Sequence, residues 1–207
     1  MKVLILNGSP HENGCTYAAI SEITKTLQEE GVESNVIWLG NREIRDCVGC
    51  MGCKKVGKCV FDDDIVNEIH DMAESFDGFI FASPVYYAHP TARLMAVLNR
   101  LFFQGSKPFW HKPAAAVLSA RRAGECTGFD AINKYFTISQ MPIVSSSYWN
   151  NVHGIRPDDV SADAEGLQTM RNLARNMAWM LKCIEAGKKA GIDVPQYEPQ
   201  ARTNFIR

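Results

Sequence analysis

The sequence predicts an α/β fold in which a doubly wound, five-stranded parallel sheet lies between two layers of helices. Short apolar runs alternate with longer segments of helical periodicity along the 207 residues. The apolar runs are continuous rather than broken by polar residues, which is typical of strands covered on both faces. With 46% hydrophobic and 22% charged residues, the composition is that of a globular domain with a sizeable core.

Five segments have the character of strands, and helical segments separate them. Strands are predicted at residues 2–6, 34–39, 78–83, 114–119 and 142–147. Helices are predicted at residues 16–30, 65–72, 91–103, 129–136 and 164–186, where apolar residues recur every three or four positions. We expect residues 1–207 to form one domain, with an irregular cysteine-containing loop at 40–64. An irregular tail at 190–207 is expected to wrap over the domain or over a neighbouring subunit.

The charge balance and the hydropathy pattern exclude several classes of partner. A formal net charge of −1 offers no basic field for a nucleic acid. No apolar stretch is long enough to cross a bilayer, and the N-terminal apolar run is too short for a signal peptide. We therefore expect a cytoplasmic protein that binds neither nucleic acid nor membrane.

The loop after the first predicted strand has the features of a phosphate site. It reads Gly8-Ser9-Pro10-His11-Glu12-Asn13-Gly14-Cys15-Thr16 and leads directly into a helix. Such a turn directs free N–H groups and the positive helix end at one spot, where the hydroxyls of Ser9 and Thr16 add donors suited to a phosphate monoester. The alternative is an ordinary turn capped by Ser or Thr, but ligands of open α/β sheets bind at this edge.

Two further loops are expected at the same edge of the sheet. After the third strand come Pro84, Val85, Tyr86 and Tyr87, whose aromatic rings and backbone N–H groups suit a flat ring system unless the tyrosines only pack. After the fourth strand, Ser119 begins a loop that contains Arg121, Arg122 and Gly124. These arginines suit an anionic group, or form a solvated pair. The convergence of three loops predicts a cofactor site.

Four of the seven cysteines lie within thirteen positions, at Cys47, Cys50, Cys53 and Cys59. In a reducing compartment this crowding indicates metal or redox chemistry. Spacers of two residues let successive thiolates converge on one cuboidal cluster, and nearby lysines would offset its charge. Structural zinc, free thiols and adventitious disulfides remain as alternatives.

These motifs together resemble the NADPH-dependent FMN reductase family, and within it most closely the iron–sulfur flavoproteins. The features that carry the resemblance are Gly8-Ser9-Pro10 with Thr16, Ser83-Pro84-Val85-Tyr86, and the cysteine run followed by Asp62-Asp63-Asp64. The resemblance implies a flavodoxin-like sheet of order 2-1-3-4-5.

The resemblance also implies the cofactor residues. Ser9, Asn13 and Thr16 match positions that hold the FMN phosphate, Pro84 to Tyr87 match the loop beside the isoalloxazine, and Ser119 begins the third flavin loop. His11 stands where the family commonly has Arg, and Cys15 where it has Asn or Ser, so that FMN affinity is expected to be lower or to depend on pH. The four clustered cysteines match the ligands of a [4Fe-4S] cluster.

The resulting expectation is an FMN-dependent oxidoreductase that takes electrons from NAD(P)H or from a ferredoxin-like donor. Electrons would pass to a small-molecule electron acceptor such as a quinone, a nitro or azo compound or an oxygen species. No catalytic side chain is predicted, because the flavin itself receives the hydride. The alternatives are an iron–sulfur flavoprotein that relays electrons between redox proteins and a zinc-stabilised binding module. The resemblance further implies a homodimer or homotetramer.

Overall fold

The sheet has the predicted strand order. The computed structural model describes residues 1–198, 201 and 203. Within them, five strands form one parallel sheet in the order β2-β1-β3-β4-β5. The strands are β1 (Lys2–Asn7), β2 (Glu33–Trp38), β3 (Gly78–Pro84), β4 (Ala114–Ala120) and β5 (Asn151–His153). The predicted flavodoxin-like α/β class is therefore confirmed.

The helices lie on both faces of this sheet. They are α1 (Cys15–Glu29), α2 (Cys53–Val56), α3 (Val66–Met72), α4 (Ala92–Gln104), α5 (Glu125–Ile138), α6 (Pro157–Ala162) and α7 (Ala164–Lys189). The short helix α6 was not predicted, and α5 begins four residues earlier than expected. None of the described helices has the length and apolar character needed to pass through a membrane.

Alternate side chains of each strand enter two separate hydrophobic cores. In β1, Val3 and Ile5 pack with α1, α6 and α7, whereas Leu4 and Leu6 pack with α3, α4 and α5. All four side chains are fully buried. This two-sided burial explains the continuous apolar run, because a side chain pointing to either face enters a core.

The predicted position of the fifth strand is wrong. Within the predicted segment 142–147, Ile143 makes only an isolated bridge to Ala114. The chain then leaves the sheet, because Ser146 Oγ donates to the α7 carbonyl of Thr169 at 2.6 Å. It returns as β5, which pairs with Leu118–Ala120 at the end of β4. Midway between Ile143 and Asn151, contacts with α7 thus replace the hydrogen bonds that a strand would make to β4.

The described part of the C-terminal tail is irregular and contacts its own chain. Residues 192–198 form neither helix nor strand. The Tyr197 ring stacks on His111, with ring centroids 5.7 Å apart. This part of the tail therefore folds back on its own chain, while the prediction for residues 199, 200, 202 and 204–207 lies outside the described residues.

Candidate functional site

The loop after β1 is held rigidly by its own polar groups and by its neighbours. The buried Asn7 side chain accepts from the Ser9 amide at 3.0 Å and donates to the Glu12 carbonyl at 3.1 Å. Trp38 Nε1 donates to the Ser9 carbonyl at 2.8 Å. On the other side, Thr91 Oγ1 donates to the Gly8 carbonyl at 2.8 Å. The loop is thus fixed between β2 and α4.

The N-terminus of α1 points its first amides into the same region. Its N-cap residue, Gly14, has an extended conformation and, being glycine, has no side chain to cap the helix. The first turn of a helix carries amides without helical partners and a partial positive charge. The arrangement suits an anion.

The loop after β3 ends in a tight turn of non-glycine residues. Tyr86 and His89 exchange backbone hydrogen bonds of 2.8 and 3.0 Å, and the intervening Tyr87 and Ala88 have φ values of 51° and 62°. This left-handed pair fully exposes the Tyr87 side chain. The amides of Val85 and Tyr86 are already donated to Ser119 and His89. The predicted flavin-binding N–H groups of this loop therefore do not include these two.

The loop after β4 is joined to the first loop by a buried hydrogen bond. Thr16 Oγ1 and Ser119 Oγ lie 2.8 Å apart. Gly124 has a φ of 101°, and a Cβ there would come within 3.1 Å of Ala88 Cα, so it packs the third loop on the second. Arg121 and Arg122 are exposed.

A fourth loop, after β5, was missed by the sequence. Asp159 Oδ2 accepts from the amides of Ile155 and Arg156, both at 2.9 Å, and Gly154 N donates to the Ala120 carbonyl at 2.9 Å. These two amides lower the pKa of Asp159. The signal in the sequence was Gly154 followed by Pro157 and two aspartates at a helix start. The loop lies at the cleft because β5 is formed by Asn151–His153 and not by the predicted segment 142–147.

The four loops enclose one cleft of about 460 Å³ at the carboxyl edge of the sheet. This volume is within the range of small-molecule sites. Ten of the twelve predicted cofactor residues line it: Ser9, His11, Asn13, Cys15, Thr16, Pro84, Val85, Tyr86, Ser119 and Arg121. Tyr87 and Gly124 do not line the cleft. The Tyr87 side chain is exposed to solvent, and Gly124 packs against Ala88 of the loop after β3.

The electrostatics of the cleft favour an anionic ligand. Among the described residues, its lining includes Arg121, Arg156 and His11 and no carboxylate. Burial, followed by the nearby charge of Asp159, raises the pKa of the Cys15 thiol, so that this side chain remains a neutral thiol at pH 7. The cleft therefore presents fixed cations and neutral polar groups.

A second pocket is lined by all four clustered cysteines, Cys47, Cys50, Cys53 and Cys59. Cys53 begins the short helix α2 and is buried, whereas Cys50 lies exposed on a loop without regular structure. The remaining lining is almost entirely apolar, apart from Arg100 and Gln104 of α4. The tertiary structure therefore brings the four predicted ligands around one point of the surface.

The cysteines do not converge as ligands of a single ion would. Across the described chain, no three Cys, His, Asp or Glu side chains are placed to share one metal ion. A zinc site needs four ligand atoms at about 2.0–2.3 Å from one centre. A cuboidal cluster separates its thiolates more widely, because each binds a different iron. Four thiols are a donor set that either a cluster or structural zinc accepts.

Arg100, a cation that contacts one of the four cysteines, was also not predicted from the sequence. Arg100 Nε donates to Cys59 Sγ at 3.3 Å. Of the lysines expected to offset cluster charge, Lys54 donates to the Phe103 carbonyl at 3.1 Å and Lys58 pairs with Asp62 at 3.5 Å. A charged residue within the apolar face of a predicted helix was the signal.

The chain is similar in sequence to known proteins. The family model described as NADPH-dependent FMN reductase matches residues 1–154. The chain is 33% identical to an iron–sulfur flavoprotein of Methanocaldococcus jannaschii over 195 residues, which cover 89% of this chain and 100% of that protein. It is 27% identical to an iron–sulfur flavoprotein of Methanosarcina thermophila, covering 91% of this chain and 99% of the relative.

A solved structure extends the comparison to the fold. A flavodoxin from the domain Archaea superposes with a TM-score of 0.59 at 14% identity, covering 88% of this chain and 99% of that one. At this identity the likeness concerns the fold alone.

Proposed function

The chain belongs to the NADPH-dependent FMN reductase family, and we propose that it is an FMN-dependent oxidoreductase with a [4Fe-4S] cluster on Cys47, Cys50, Cys53 and Cys59. The family and the iron–sulfur flavoprotein relatives support a flavin oxidoreductase or electron carrier. The observation that carries the finer proposal is the pair of sites on one chain. One is a cation-lined cleft at the carboxyl edge of the sheet, and the other is a pocket lined by four thiols.

The residues of the cleft fit FMN in character and in charge. The phosphate would lie at the N-terminus of α1, against Ser9, Asn13 and Thr16, with Arg121 and Arg156 as the nearby cations. Pro84, Val85 and Tyr86 would contact the ring system. Tyr87, exposed at the tip of the turn, is placed to cover the outer edge of the ring or to meet the acceptor.

The cysteine pocket fits a cluster in its donor chemistry. As it stands its volume is about 20 Å³, which is room for about one water molecule. A cluster therefore requires that the exposed loop carrying Cys50 adjust, and no helix or strand restrains residues 43–50. When bound, FMN supplies one- and two-electron chemistry and a cluster supplies one-electron transfer.

The two sites together favour an electron path between a one-electron protein donor and a small acceptor. The proposed donors are a ferredoxin-like protein or NAD(P)H, and the proposed acceptors are quinones, nitro or azo compounds and oxygen species. The four-thiol pocket favours the second candidate, an electron carrier between redox proteins. Anaerobic reduction by NADPH, compared with reduced ferredoxin, separates the enzyme with a hydride donor from the carrier.

Alkylation resolved by residue tests the flavin site. Cys15 lines the cleft, whereas Cys126 and Cys183 are exposed and lie outside it. We expect FMN to slow iodoacetamide labelling of Cys15 in peptide mass spectra while labelling of Cys126 and Cys183 is unchanged. Failure of the protein to take up FMN would contradict the proposal.

Iron and sulfide analysis of anaerobically prepared protein tests the cluster. We expect about four irons per chain for the cuboidal form. Cys53→Ser is expected to lower this number, and Cys183→Ser, the matched control, to leave it unchanged. Flavin without iron would remove the cluster and leave an FMN reductase. Light scattering of the loaded protein tests the proposed homodimer or homotetramer.

A further inference from the structure

Helix α4 presents two polar side chains to the cysteine pocket, Arg100 and Gln104, one helical turn apart. The spacing of four residues places them on one face of the helix. Both are at least nine-tenths buried. Two buried polar residues on an otherwise apolar helix face need partners, and the partners found are on the cysteine segment.

The guanidinium of Arg100 is held in place by three oxygen acceptors in addition to its contact with sulfur. Its guanidinium pairs with the Asp64 carboxylate and donates to the carbonyls of Arg45 at 3.1 Å and Phe61 at 2.7 Å. Burial alone would lower the pKa of Arg100, but hydrogen bonds to Asp64 and Cys59 outweigh it, so the net shift is upward. The third nitrogen, Nε, donates to Cys59 Sγ. Arg100 is thus a fixed, charged donor to one proposed ligand.

Gln104 contributes one bond to the same cysteine and retains an unused donor. Its Oε1 accepts from the Cys59 amide at 2.6 Å. Its Nε2 is buried and has no hydrogen-bond partner among the described residues. Buried amide donors normally find a partner. The unpaired Nε2 belongs to a side chain that lines the four-thiol pocket, where a sulfide or thiolate sulfur would accept from it.

We propose that Arg100 and Gln104 are positioning residues that raise the reduction potential of the cluster held by the four cysteines. The inference rests on the proposed function. Hydrogen bonds to cluster sulfurs stabilise the more negative, reduced form. Reduction adds one electron, taken from the donor, and makes or breaks no bond at either residue.

The two side chains also hold α4 against residues 45–64, and a purely structural role would show differently. Loss of packing lowers the number of clusters that assemble. Water admitted by looser packing raises the potential of the clusters that do assemble, whereas a lost hydrogen bond lowers it. The potential at full iron content therefore separates the two roles.

The test is a potentiometric titration followed by electron paramagnetic resonance, on anaerobically reconstituted holoprotein with dithionite as reductant. Gln104→Met fills a similar space without a hydrogen-bonding group, so that the second donor is removed and no charge is added beside the cluster. Arg100→Lys keeps the charge and removes the guanidinium geometry. Lys25→Met is the control, because it removes an exposed charge from α1, which packs on the other face of the sheet from α4.

We expect the cluster potential to fall in Gln104→Met and Arg100→Lys by the equivalent of about a tenfold change in the electron equilibrium, 59 mV for one electron. The FMN potentials, read in the same titration, and the potential of Lys25→Met should stay at their wild-type values. If Arg100→Lys does not assemble the cluster, Gln104→Met decides. Unchanged cluster potentials at full iron content overturn the inference and leave the proposed function standing. A wild-type protein that binds no iron overturns the proposed cluster itself, and the inference with it.

Discussion

Thr16 Oγ1 and Ser119 Oγ, 103 positions apart in the chain, form a buried hydrogen bond of 2.8 Å. Thr16 lies in the first turn of α1 and Ser119 at the end of β4. The bond therefore fixes the loop that would hold a phosphate relative to the loop on the other side of the cleft. Because both hydroxyls are buried, removal of one leaves the other without its partner.

This bond predicts a non-additive pair of substitutions. Thr16→Val and Ser119→Ala are each expected to lower the free energy of unfolding by about 1–3 kcal/mol, because a buried hydroxyl loses its partner. The double variant should lose less than the sum, since neither group is then left unpaired. Urea unfolding of the four proteins measures the coupling. Full additivity would show that the contact carries no energy.

Gly8 predicts a steric effect at the first loop. A Cβ at this position would lie 2.8 Å from Leu94 Cβ and 3.1 Å from the Ala82 carbonyl. Because the carbonyl is backbone, Gly8→Ala is expected to cost about 1–3 kcal/mol of stability through overpacking and to weaken FMN binding. Gly187→Ala in α7 is the control. Its Cβ meets nothing closer than 3.9 Å, and alanine favours a helix by up to about 1 kcal/mol.

Trp38 predicts a change in ligand affinity without a change in fold. Its Nε1 donates to the Ser9 carbonyl at 2.8 Å, from a half-buried ring at the end of β2. Trp38→Phe keeps an aromatic ring and removes the donor. A single hydrogen bond contributes about 0.5–1.5 kcal/mol, so FMN affinity should fall by up to about tenfold. Fluorescence titration with FMN measures it, and equal affinity in the variant would show that the loop needs no such anchor.

Asp159 predicts an acid-dependent stability. Hydrogen bonds from the Arg156 and Ile155 amides lower its pKa in the folded protein. A lowered folded pKa stabilises the protein above the unfolded value of about 3.9, and this contribution disappears as the pH falls through the folded pKa. Asp159→Asn should therefore destabilise the protein at pH 7 and differ less from wild type as the pH falls below about 4.

Urea unfolding between pH 7 and about pH 2.5 measures this difference. Asp158→Asn is the matched control, because Asp158 is the next carboxylate and accepts no hydrogen bond in the described structure. It should show no such convergence. A gap between wild type and Asp159→Asn that is the same at both ends of the range would contradict the assignment.

Much of this molecule follows from sequence alone, because periodicity and local chemistry are properties of neighbouring residues. The continuous apolar runs of β1, β3 and β4 predicted buried parallel strands. The carboxyl ends of those strands predicted where a cleft would lie. The residues of the first three loops could therefore be named in advance, and so could the crowding of Cys47, Cys50, Cys53 and Cys59.

Only the tertiary structure decided the parts that depend on partners distant in sequence. Residues 142–147 have the composition of a strand, but Ser146 hydrogen-bonds to α7 instead of to the sheet. The strand β5 is formed by Asn151–His153. The loop at 154–157 enters the cleft for that reason. No local sequence feature of Arg100 or Gln104 predicts a contact with Cys59, which lies about forty positions earlier. Their role exists only because α4 packs against the cysteine segment, and a buried charge or amide is stable only where the fold supplies its partner.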